Sequence, residues 1–221
     1  MISNNVASSN NLIYGEFMEY YDLHPDNPQS RYINKAVEVL KSGGLVIYPT
    51  DTIYGIGCDI FNKEALEKLF YIKQDASTKL FSFICADLKD ISKYAKVSDF
   101  AYRSMKKFLP GPYTFVLPAA KEIPKKLWSK RHTVGIRVPN NNVTLSLVRE
   151  LGNPIISTSV TNRLGDILND PTEIKLIFNS QVDLMLASGI LTNKPSSVID
   201  LSGDEPEVIR VGAGDVSAFA I

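Results

Sequence analysis

Hydroxyl and cationic side chains recur in this sequence at the ends of short apolar runs. Thr50, Asp51 and Thr52 directly follow one such run, and the segment 157–162 ends another with serine, threonine and asparagine. Arg137 and Arg210 lie within two further runs. Side chains from separate segments converge at strand ends in α/β proteins, and ligands usually bind there. Because hydroxyl, amide and guanidinium groups are good donors to anions, this pattern predicts a site for a phosphate or carboxylate ligand.

The same residues also have structural interpretations. A Thr-Asp-Thr sequence after a strand often caps a helix or a turn, and a lone arginine in a strand often forms a surface ion pair. Lys73 ends a predicted helix, where a cation is favourable for the helix dipole alone. The functional alternative is that Lys73 and Lys79 bracket a loop and reach for a phosphate chain. The residues by themselves leave both interpretations open.

Several kinds of site are disfavoured by what the sequence lacks. It contains no GxxxxGK[ST] loop, no GxGxxG motif and no GxSxG elbow. Two cysteines and two histidines argue against a disulfide scaffold, a zinc site or a Ser-His-Asp triad. Lys+Arg 24 balances Asp+Glu 24, so nucleic-acid binding would require a local basic patch. No apolar run is long enough to span a membrane and the first residues are not signal-like, so we expect a cytoplasmic protein.

The elements that position these groups follow from the apolar pattern. Helical spacing predicts helices that begin at Ser30 and Asn62 as caps, and further helices around 100–108, 143–151 and 173–178. Apolar or alternating runs predict strands at 45–50, 80–88, 114–119, 133–139, 154–160, 182–188, 196–201 and 207–212. This interleaving predicts an α/β (α+β) fold with a mixed sheet, since the last strands follow one another too closely for a purely parallel one. We expect one domain over 19–221 and a flexible N-terminal extension over 1–18.

Seven segments in fixed order carry a resemblance to a known family: IYPTDTIYGIGCD, the Lys73 loop, LPGPYTFVLPA, TVGIRVP, PIISTS, SSVID and VIRVGAGD. From about Arg31 to Val216 the chain resembles the Sua5/YciO/YrdC family, and most of all its YciO branch. The resemblance implies a YrdC-like twisted mixed β-sheet with flanking helices and a concave, positively charged face. It also implies a nucleotidyltransferase that condenses L-threonine, bicarbonate and ATP into threonylcarbamoyl-AMP and pyrophosphate, for threonylcarbamoyladenosine formation in tRNA.

The resemblance also assigns roles position by position. Residues on the threonine side would be Thr50, Arg137, Ser157 and Ser196, and residues on the nucleotide side would be Lys73, Ser77, Thr133, Ser159 and Arg210. Lys73 and Arg137 would be catalytic: Arg137 suits a bidentate grip on a carboxylate, and Lys73 neutralises phosphate charge as pyrophosphate leaves. Mg²⁺ is expected on the phosphates, and no protein metal ligand is assigned.

Two positions depart from the synthase signature. Where synthases have Lys-x-Arg, this chain has Asp75 in KQD, and Thr161 stands where the STSAN motif has asparagine. Loss of one electrostatic contact to a transition state can cost roughly 10²-fold in rate. The chain is therefore interpreted as a synthase of weak activity or, alternatively, as a YciO-type hydrolase of threonylcarbamoyl-AMP or a related nucleotide.

A third hypothesis is a protein that binds tRNA or double-stranded RNA without catalysis. It requires a basic surface, and the segment 121–132 is the candidate because four lysines and an arginine surround Trp128. The same segment is also typical of a solvated loop whose tryptophan enters the core.

Overall fold

Ten strands and five α-helices make up the part of the chain that the structure, a computed structural model, describes: residues 17–73, 81–89, 91–121, 123 and 132–219. The strands are β1 (Glu19–Asp22), β2 (Val46–Tyr48), β3 (Gly55–Asp59), β4 (Ser82–Ile84), β5 (Tyr113–Pro118), β6 (Thr133–Arg137), β7 (Ile155–Ser159), β8 (Leu184–Ala187), β9 (Ser197–Asp200) and β10 (Glu207–Arg210). The helices are α1 (Ser30–Lys41), α2 (Lys63–Lys73), α3 (Asp99–Phe108), α4 (Asn142–Leu151) and α5 (Pro171–Phe178). None of these five helices is long and apolar enough to cross a membrane.

The ten strands form one sheet in the order β1-β8-β2-β3-β7-β4-β6-β5-β9-β10. The pairs β1/β8, β2/β8, β4/β6 and β5/β9 are parallel, and the other five neighbouring pairs are antiparallel. This confirms the predicted α/β class with a mixed sheet. Because the order interleaves early and late strands, residues far apart in the sequence become neighbours across the sheet.

Helix α1 shows how apolar spacing and end signals define an element. Its buried residues are Ile33, Ala36, Val37 and Leu40, as their helical spacing predicts. The chain then turns at Gly43, whose φ of +86° lies in the left-handed region that favours glycine. The predicted cap at Ser30 is wrong, because Ser30 is already helical and Gln29 precedes it without a side-chain capping bond.

Asparagine side chains cap the beginnings of helices α2 and α4. Asn62 Oδ1 accepts a hydrogen bond from the Ala65 N–H at 3.0 Å, which confirms the predicted cap of α2. Asn141 Oδ1 accepts from the Thr144 N–H at 3.1 Å at the start of α4. Each cap satisfies a backbone donor that has no partner within the helix. The Thr144 hydroxyl also donates to the Pro49 carbonyl, which ties α4 to the end of β2.

The pleat of the sheet divides the core into two clusters. Val46 and Tyr48 of β2 belong to a cluster that also contains buried residues of α1 and α4, whereas Ile47 between them belongs to the larger cluster with buried residues of α2, α3 and α5. Successive residues of a strand point to opposite faces, so each face packs against its own helices. Ile84 belongs to the α1/α4 cluster and also lines the cavity, which places the cavity on that face of the sheet.

Candidate functional site

Five neighbouring strands form the floor of a cavity of about 450 Å³. Each contributes a pair of residues that are two apart in sequence: Ser157 and Ser159 at β7, Ser82 and Ile84 at β4, Gly135 and Arg137 at β6, Thr114 and Val116 at β5, and Ser196 and Val198 at β9. Thr158 of β7 also reaches the lining. Residues with this spacing share a face of the sheet. Residues between them, such as Phe83, Phe115 and Ile136, belong to the hydrophobic core on the other face. The alternation of the strands therefore builds the cavity.

The register of the sheet aligns the cavity residues in rows. Ser82 pairs with Ser157 on one side and with Gly135 on the other, and Gly135 also pairs with Val116. A Cβ at Gly135 would lie 3.1 Å from both Ser82 Oγ and Thr114 Cγ2, tighter than an ordinary contact. Glycine thus keeps the floor open between the two hydroxyl side chains.

Arg137 ends β6 and is only 7% exposed. Its Nη2 donates to Thr50 Oγ1 at 3.1 Å, to Thr52 Oγ1 at 2.6 Å and to Asp51 Oδ1 at 2.6 Å. Because Nη2 carries two protons and faces three protein acceptors, both of its N–H groups already have a hydrogen-bond partner within the protein. Arg137 Nε is also buried and has no hydrogen-bond partner among the described residues. Nε is therefore a guanidinium donor left for a ligand, and because it is shielded from solvent a ligand reaches it only when the side chains around it shift. A bidentate grip that includes Nη2 would also require one protein acceptor to be released.

Asp51 holds the Arg137 guanidinium in this orientation. The side chains of the two residues are 10% and 9% exposed, so their ion pair is largely removed from water. The second carboxylate oxygen of Asp51 accepts the Asn140 N–H at 3.0 Å, just beyond the end of β6. Both oxygens of the carboxylate are thus used, and the pair fixes the β2–β3 connection against β6.

The hydroxyl of Thr50 is used within the turn that follows β2. It donates to the Ile53 carbonyl at 2.6 Å and accepts the N–H groups of Thr52 at 3.1 Å and Ile53 at 3.2 Å. Such side-chain to backbone bonds are the structural interpretation that the sequence left open for this threonine. Thr50 nevertheless lines the cavity. Its hydroxyl shapes the turn and accepts a hydrogen bond from Arg137.

Lys73 ends α2 and brings its ammonium group to the cavity wall. Lys73 Nζ donates to Thr161 Oγ1 at 2.9 Å. Thr161 forms a β-bridge with Ile167. Two hydrogen bonds hold the segment between them: Asn162 Nδ2 donates to Asp166 Oδ2, and the Asp166 N–H donates to Asn162 Oδ1. A smaller cavity of about 100 Å³ adjoins this position, and Lys73 and Thr161 line both cavities. The hydrogen-bonded pair therefore stands at their junction.

Arg210 lies beside Ser196 at another part of the cavity wall. Its Nε and Nη2 donate to the Ser196 carbonyl at 3.1 Å and 2.9 Å, and Ser196 Oγ lies 2.8 Å from Thr114 Oγ1. Partial burial of the guanidinium, and then the charge of Arg137, lower the pKa of Arg210 from its ordinary value. Two guanidinium groups thus repel each other across the cavity, and an anion between them would relieve that repulsion.

The structure gathers most of the predicted site residues into this cavity. Seven of the nine line it: Thr50, Lys73, Arg137, Ser157, Ser159, Ser196 and Arg210. Thr133 is buried at the first position of β6 opposite Pro118, and the described lining of the cavity does not include it. Ser77, Asp75 and the segment 124–131 lie outside the described residues. The roles given to all nine in binding stay predictions.

Sequence reasoning missed two hydroxyl residues of the cavity floor, Ser82 and Thr114. Both lie inside predominantly apolar runs, LFSFIC and TFVLP, that predicted buried strands without a polar face. A hydroxyl residue at alternating positions of such a run is the signal that could have identified them, because it marks one face of the strand as polar.

The donors of the cavity favour an anion over a metal ion. Among the described residues, no group of three or more His, Cys, Asp or Glu side chains could hold a metal. The carboxylate of Asp51, beside Arg137, already binds Arg137 and the Asn140 N–H. A divalent cation therefore finds no protein cage in the described part of this site.

Together, the sheet and the cavity define an α/β protein with an anion-binding pocket of hydroxyls, lysine and arginine on one face of a mixed sheet. The model of the Sua5/YciO/YrdC family, which is described as "Telomere recombination", matches residues 38–212. The chain belongs to this family.

Comparison with individual relatives agrees with this membership. The uncharacterised protein YciO of Escherichia coli K12 is 44% identical over 203 residues, which cover 91% of this chain and 98% of the relative. A threonylcarbamoyl-AMP synthase of Coxiella burnetii is 31% identical over 170 residues, which cover 76% of this chain and 91% of the relative.

Two solved structures show the same fold. The crystal structure of E. coli YciO matches with a TM-score of 0.87 at 43% identity, over 92% of this chain and all of the other. The crystal structure of P. abyssi Sua5 complexed with L-threonine matches with a TM-score of 0.81 at 24% identity, over 87% of this chain and 57% of the other. The YrdC-like fold expected from the resemblance is confirmed.

Proposed function

We propose that the protein is an enzyme that binds L-threonine and ATP in this cavity and forms threonylcarbamoyl-AMP from them with bicarbonate. The buried Nε of Arg137, which has no partner among the described residues, is the observation that carries the proposal. A buried donor without an acceptor costs free energy in the folded chain, and a ligand carboxylate would satisfy it. The similarity to threonylcarbamoyl-AMP synthases and the shared fold of the threonine-bound P. abyssi Sua5 support threonine as the source of that carboxylate.

In this proposal, two sets of residues in the cavity hold different substrates. Arg137, Ser157 and Ser196 bind threonine, while Lys73, Ser159 and Arg210 bind the phosphates of ATP. The threonine amine first reacts with bicarbonate to give a carbamate and water. A carbamate oxygen then attacks the α-phosphorus, and the bond from that phosphorus to the pyrophosphate oxygen breaks. No protein nucleophile is required, so the protein aligns the reactants and neutralises the leaving charge.

Magnesium enters this proposal only through the substrate. Mg²⁺ keeps most of its waters and commonly binds substrate phosphates with few protein ligands. The hydroxyl and cationic lining of the cavity is consistent with an ion that arrives on ATP. No step of the proposal uses a protein-bound metal.

The contact between Lys73 and Thr161 favours a second candidate, hydrolysis of threonylcarbamoyl-AMP or a related nucleotide. Lys73 Nζ is held at 2.9 Å by Thr161, at a position where the synthase signature has asparagine. A lysine held this way still neutralises the phosphate of a bound acyl nucleotide. Asp75, two residues further along the sequence, replaces a cation of the synthase signature with a carboxylate, which disfavours the longer polyphosphate of ATP. This candidate uses the same cavity and predicts consumption of threonylcarbamoyl-AMP without synthesis.

One assay tests both candidates. The protein is incubated with L-threonine, bicarbonate, ATP and Mg²⁺, and pyrophosphate and threonylcarbamoyl-AMP are followed; a parallel reaction starts from threonylcarbamoyl-AMP. We expect turnover that Arg137→Lys lowers by about 10²-fold, because lysine keeps the charge beside Asp51 but lacks the Nε donor. Lys35→Ala, on the exposed face of α1, is the matched control and should leave turnover unchanged.

The results separate the candidates clearly. Pyrophosphate release that depends on all three substrates supports the synthase, and loss of threonylcarbamoyl-AMP without synthesis supports the hydrolase. If neither reaction exceeds the buffer rate, or if Arg137→Lys is as active as the native protein, the proposal is wrong.

A further inference from the structure

Two buried side-chain polar atoms lack a hydrogen-bond partner among the described residues: Arg137 Nε and the Tyr48 hydroxyl. Leaving such an atom unpaired costs free energy, so folded proteins retain few of them. Arg137 belongs to the cavity lining, but Tyr48 does not. Tyr48 is fully buried in the core cluster beneath the cavity, where phenylalanine would pack without the unsatisfied hydroxyl. The position of this hydroxyl therefore calls for an explanation other than stability.

Tyr48 lies against the cavity residue Ser157. Tyr48 ends β2 and pairs with Gly55 of β3, which has no side chain to separate it from the next strand, β7. A Cβ at Gly55 would lie 3.0 Å from Ser157 Oγ and 3.2 Å from Tyr48 Cζ, the carbon that carries the hydroxyl. The Tyr48 ring and the Ser157 hydroxyl thus lie on either side of the space that a side chain at Gly55 would fill.

The hydrogen bonds of Ser157 leave room for Tyr48. Ser157 Oγ donates to the Ile56 carbonyl at 3.2 Å, at the long end of the normal range. A serine hydroxyl has one proton and two acceptor lone pairs, and this single bond uses only the proton. Burial raises the pKa of Tyr48 above the ordinary value for tyrosine and outweighs the opposite effect of its contact with the Ser157 hydroxyl, so the tyrosine keeps its proton and is a donor that lies close to Ser157. The donor without an acceptor therefore lies beside an acceptor with free lone pairs.

We propose that Tyr48 is a positioning residue for Ser157: its buried hydroxyl donates to Ser157 Oγ when the serine proton turns from the Ile56 carbonyl to a ligand in the cavity. The bond from Tyr48 fixes the rotamer of Ser157 and polarises its O–H, which makes the serine a better donor to the ligand. Tyr48 does not touch the ligand itself. This inference rests on the proposed function, because it takes Ser157 as a residue that binds the threonine side of the substrate.

The test compares Tyr48→Phe with a matched tyrosine whose hydroxyl has a partner. Tyr113 is also buried, and its hydroxyl donates to the Asp215 carbonyl at 3.0 Å outside the cavity. Unfolding free energies are measured in urea and L-threonine affinity by calorimetry. We expect Tyr48→Phe to be at least as stable as the native protein but to bind threonine about five- to tenfold more weakly. Tyr113→Phe should lose stability and keep its threonine affinity.

A double-mutant cycle shows whether the effect passes through Ser157. If Tyr48 acts by positioning the serine, Tyr48→Phe should have no further effect on threonine affinity in a Ser157→Ala background. An equal loss in both backgrounds would overturn the inference, because Tyr48 would then act by another route. Native affinity in Tyr48→Phe, or a loss of stability as large as that of Tyr113→Phe, would also overturn it.

The proposed function can fail separately. If the native protein does not bind L-threonine, both the function and this inference are wrong. If it binds threonine and Tyr48→Phe binds equally well, only the inference is wrong.

Discussion

Removal of the Asp51 carboxylate tests how strongly the ion pair with Arg137 supports the fold. In Asp51→Ala, the Arg137 guanidinium keeps the hydroxyl oxygens of Thr50 and Thr52 but loses its only charged partner among the described residues. The Asn140 N–H loses its acceptor as well. A buried cation without its counter-charge is costly, whereas water readily replaces an exposed partner.

The structure sets the size of this effect. Both side chains of the pair are at most 10% exposed, so the typical cost of about 3–5 kcal/mol for breaking a buried pair applies. The two remaining hydroxyl acceptors place the expected loss at the lower end, about 3 kcal/mol. Lys35 gives the matched control: its side chain is 44% exposed and lies 3.6 Å from Glu19, so Lys35→Ala should cost about 0–1 kcal/mol.

The assay is equilibrium unfolding in urea, monitored by tyrosine fluorescence and circular dichroism on the native protein and both variants. Coincident transitions by the two probes would justify a single free energy of unfolding for each protein. A cost for Asp51→Ala that is no larger than that of Lys35→Ala would refute the reasoning, because it would mean that Arg137 is well solvated without its carboxylate.

Two further predictions concern the Lys73 contact and the buried thiols. Thr161→Val removes one acceptor that positions Lys73 Nζ, at almost constant volume, so ATP affinity measured by titration should fall about tenfold and Thr161→Ser should restore it. Equal affinities would show that the contact is not used. Burial raises the pKa of Cys58 and of Cys85 from 9.0 to about 12, so the folded chain binds more protons than the unfolded chain between these values. The free energy of unfolding should therefore decrease as pH rises from 9.0 towards 12. Rapid reaction of the native thiols with a disulfide reagent near neutral pH would contradict the raised pKa values.

Elements with a strong apolar pattern were predictable from the sequence. The runs at 45–50 and 154–160 contain β2 and β7, the run at 114–119 covers all of β5 but its first residue, and the helix after Asn62 begins at the predicted cap. These segments carry their own signals, since strand and helix periods and capping residues are local properties of the chain. Local signals were therefore enough for most elements and for the class of the fold.

Strand β3 was not predicted because its stability comes from its neighbours. Its sequence, Gly-Ile-Gly-Cys-Asp, has two glycines, which weaken a strand in isolation. In the fold it is paired on both sides, by β2 and β7. A Cβ at Gly57 would lie 2.6 Å from the Ile156 carbonyl oxygen, so the glycine allows a close approach that only the assembled sheet requires. No local pattern carries this information.

The candidate site was predictable as a set of residues but not as a set of contacts. Strand-end chemistry and the family resemblance identified Arg137, Ser157 and Ser196, which the structure brings to one cavity. The commitment of Arg137 Nη2 to Thr50, Thr52 and Asp51 depends on how the β2–β3 turn packs against β6. Such long-range packing leaves no trace in the spacing of residues along the chain.

The alternation along the five floor strands also has a consequence for how this protein can diverge. Ser82, Thr114 and Ser157 face the cavity, while their chain neighbours Phe83 and Phe115 face the core. A codon change at a cavity position thus alters what the protein recognises without repacking its interior, and neighbouring codons experience opposite selective constraints. A mutant library restricted to cavity positions would sample new ligands on an unchanged scaffold, and descendants of one ancestral sheet could acquire different substrates by the same route.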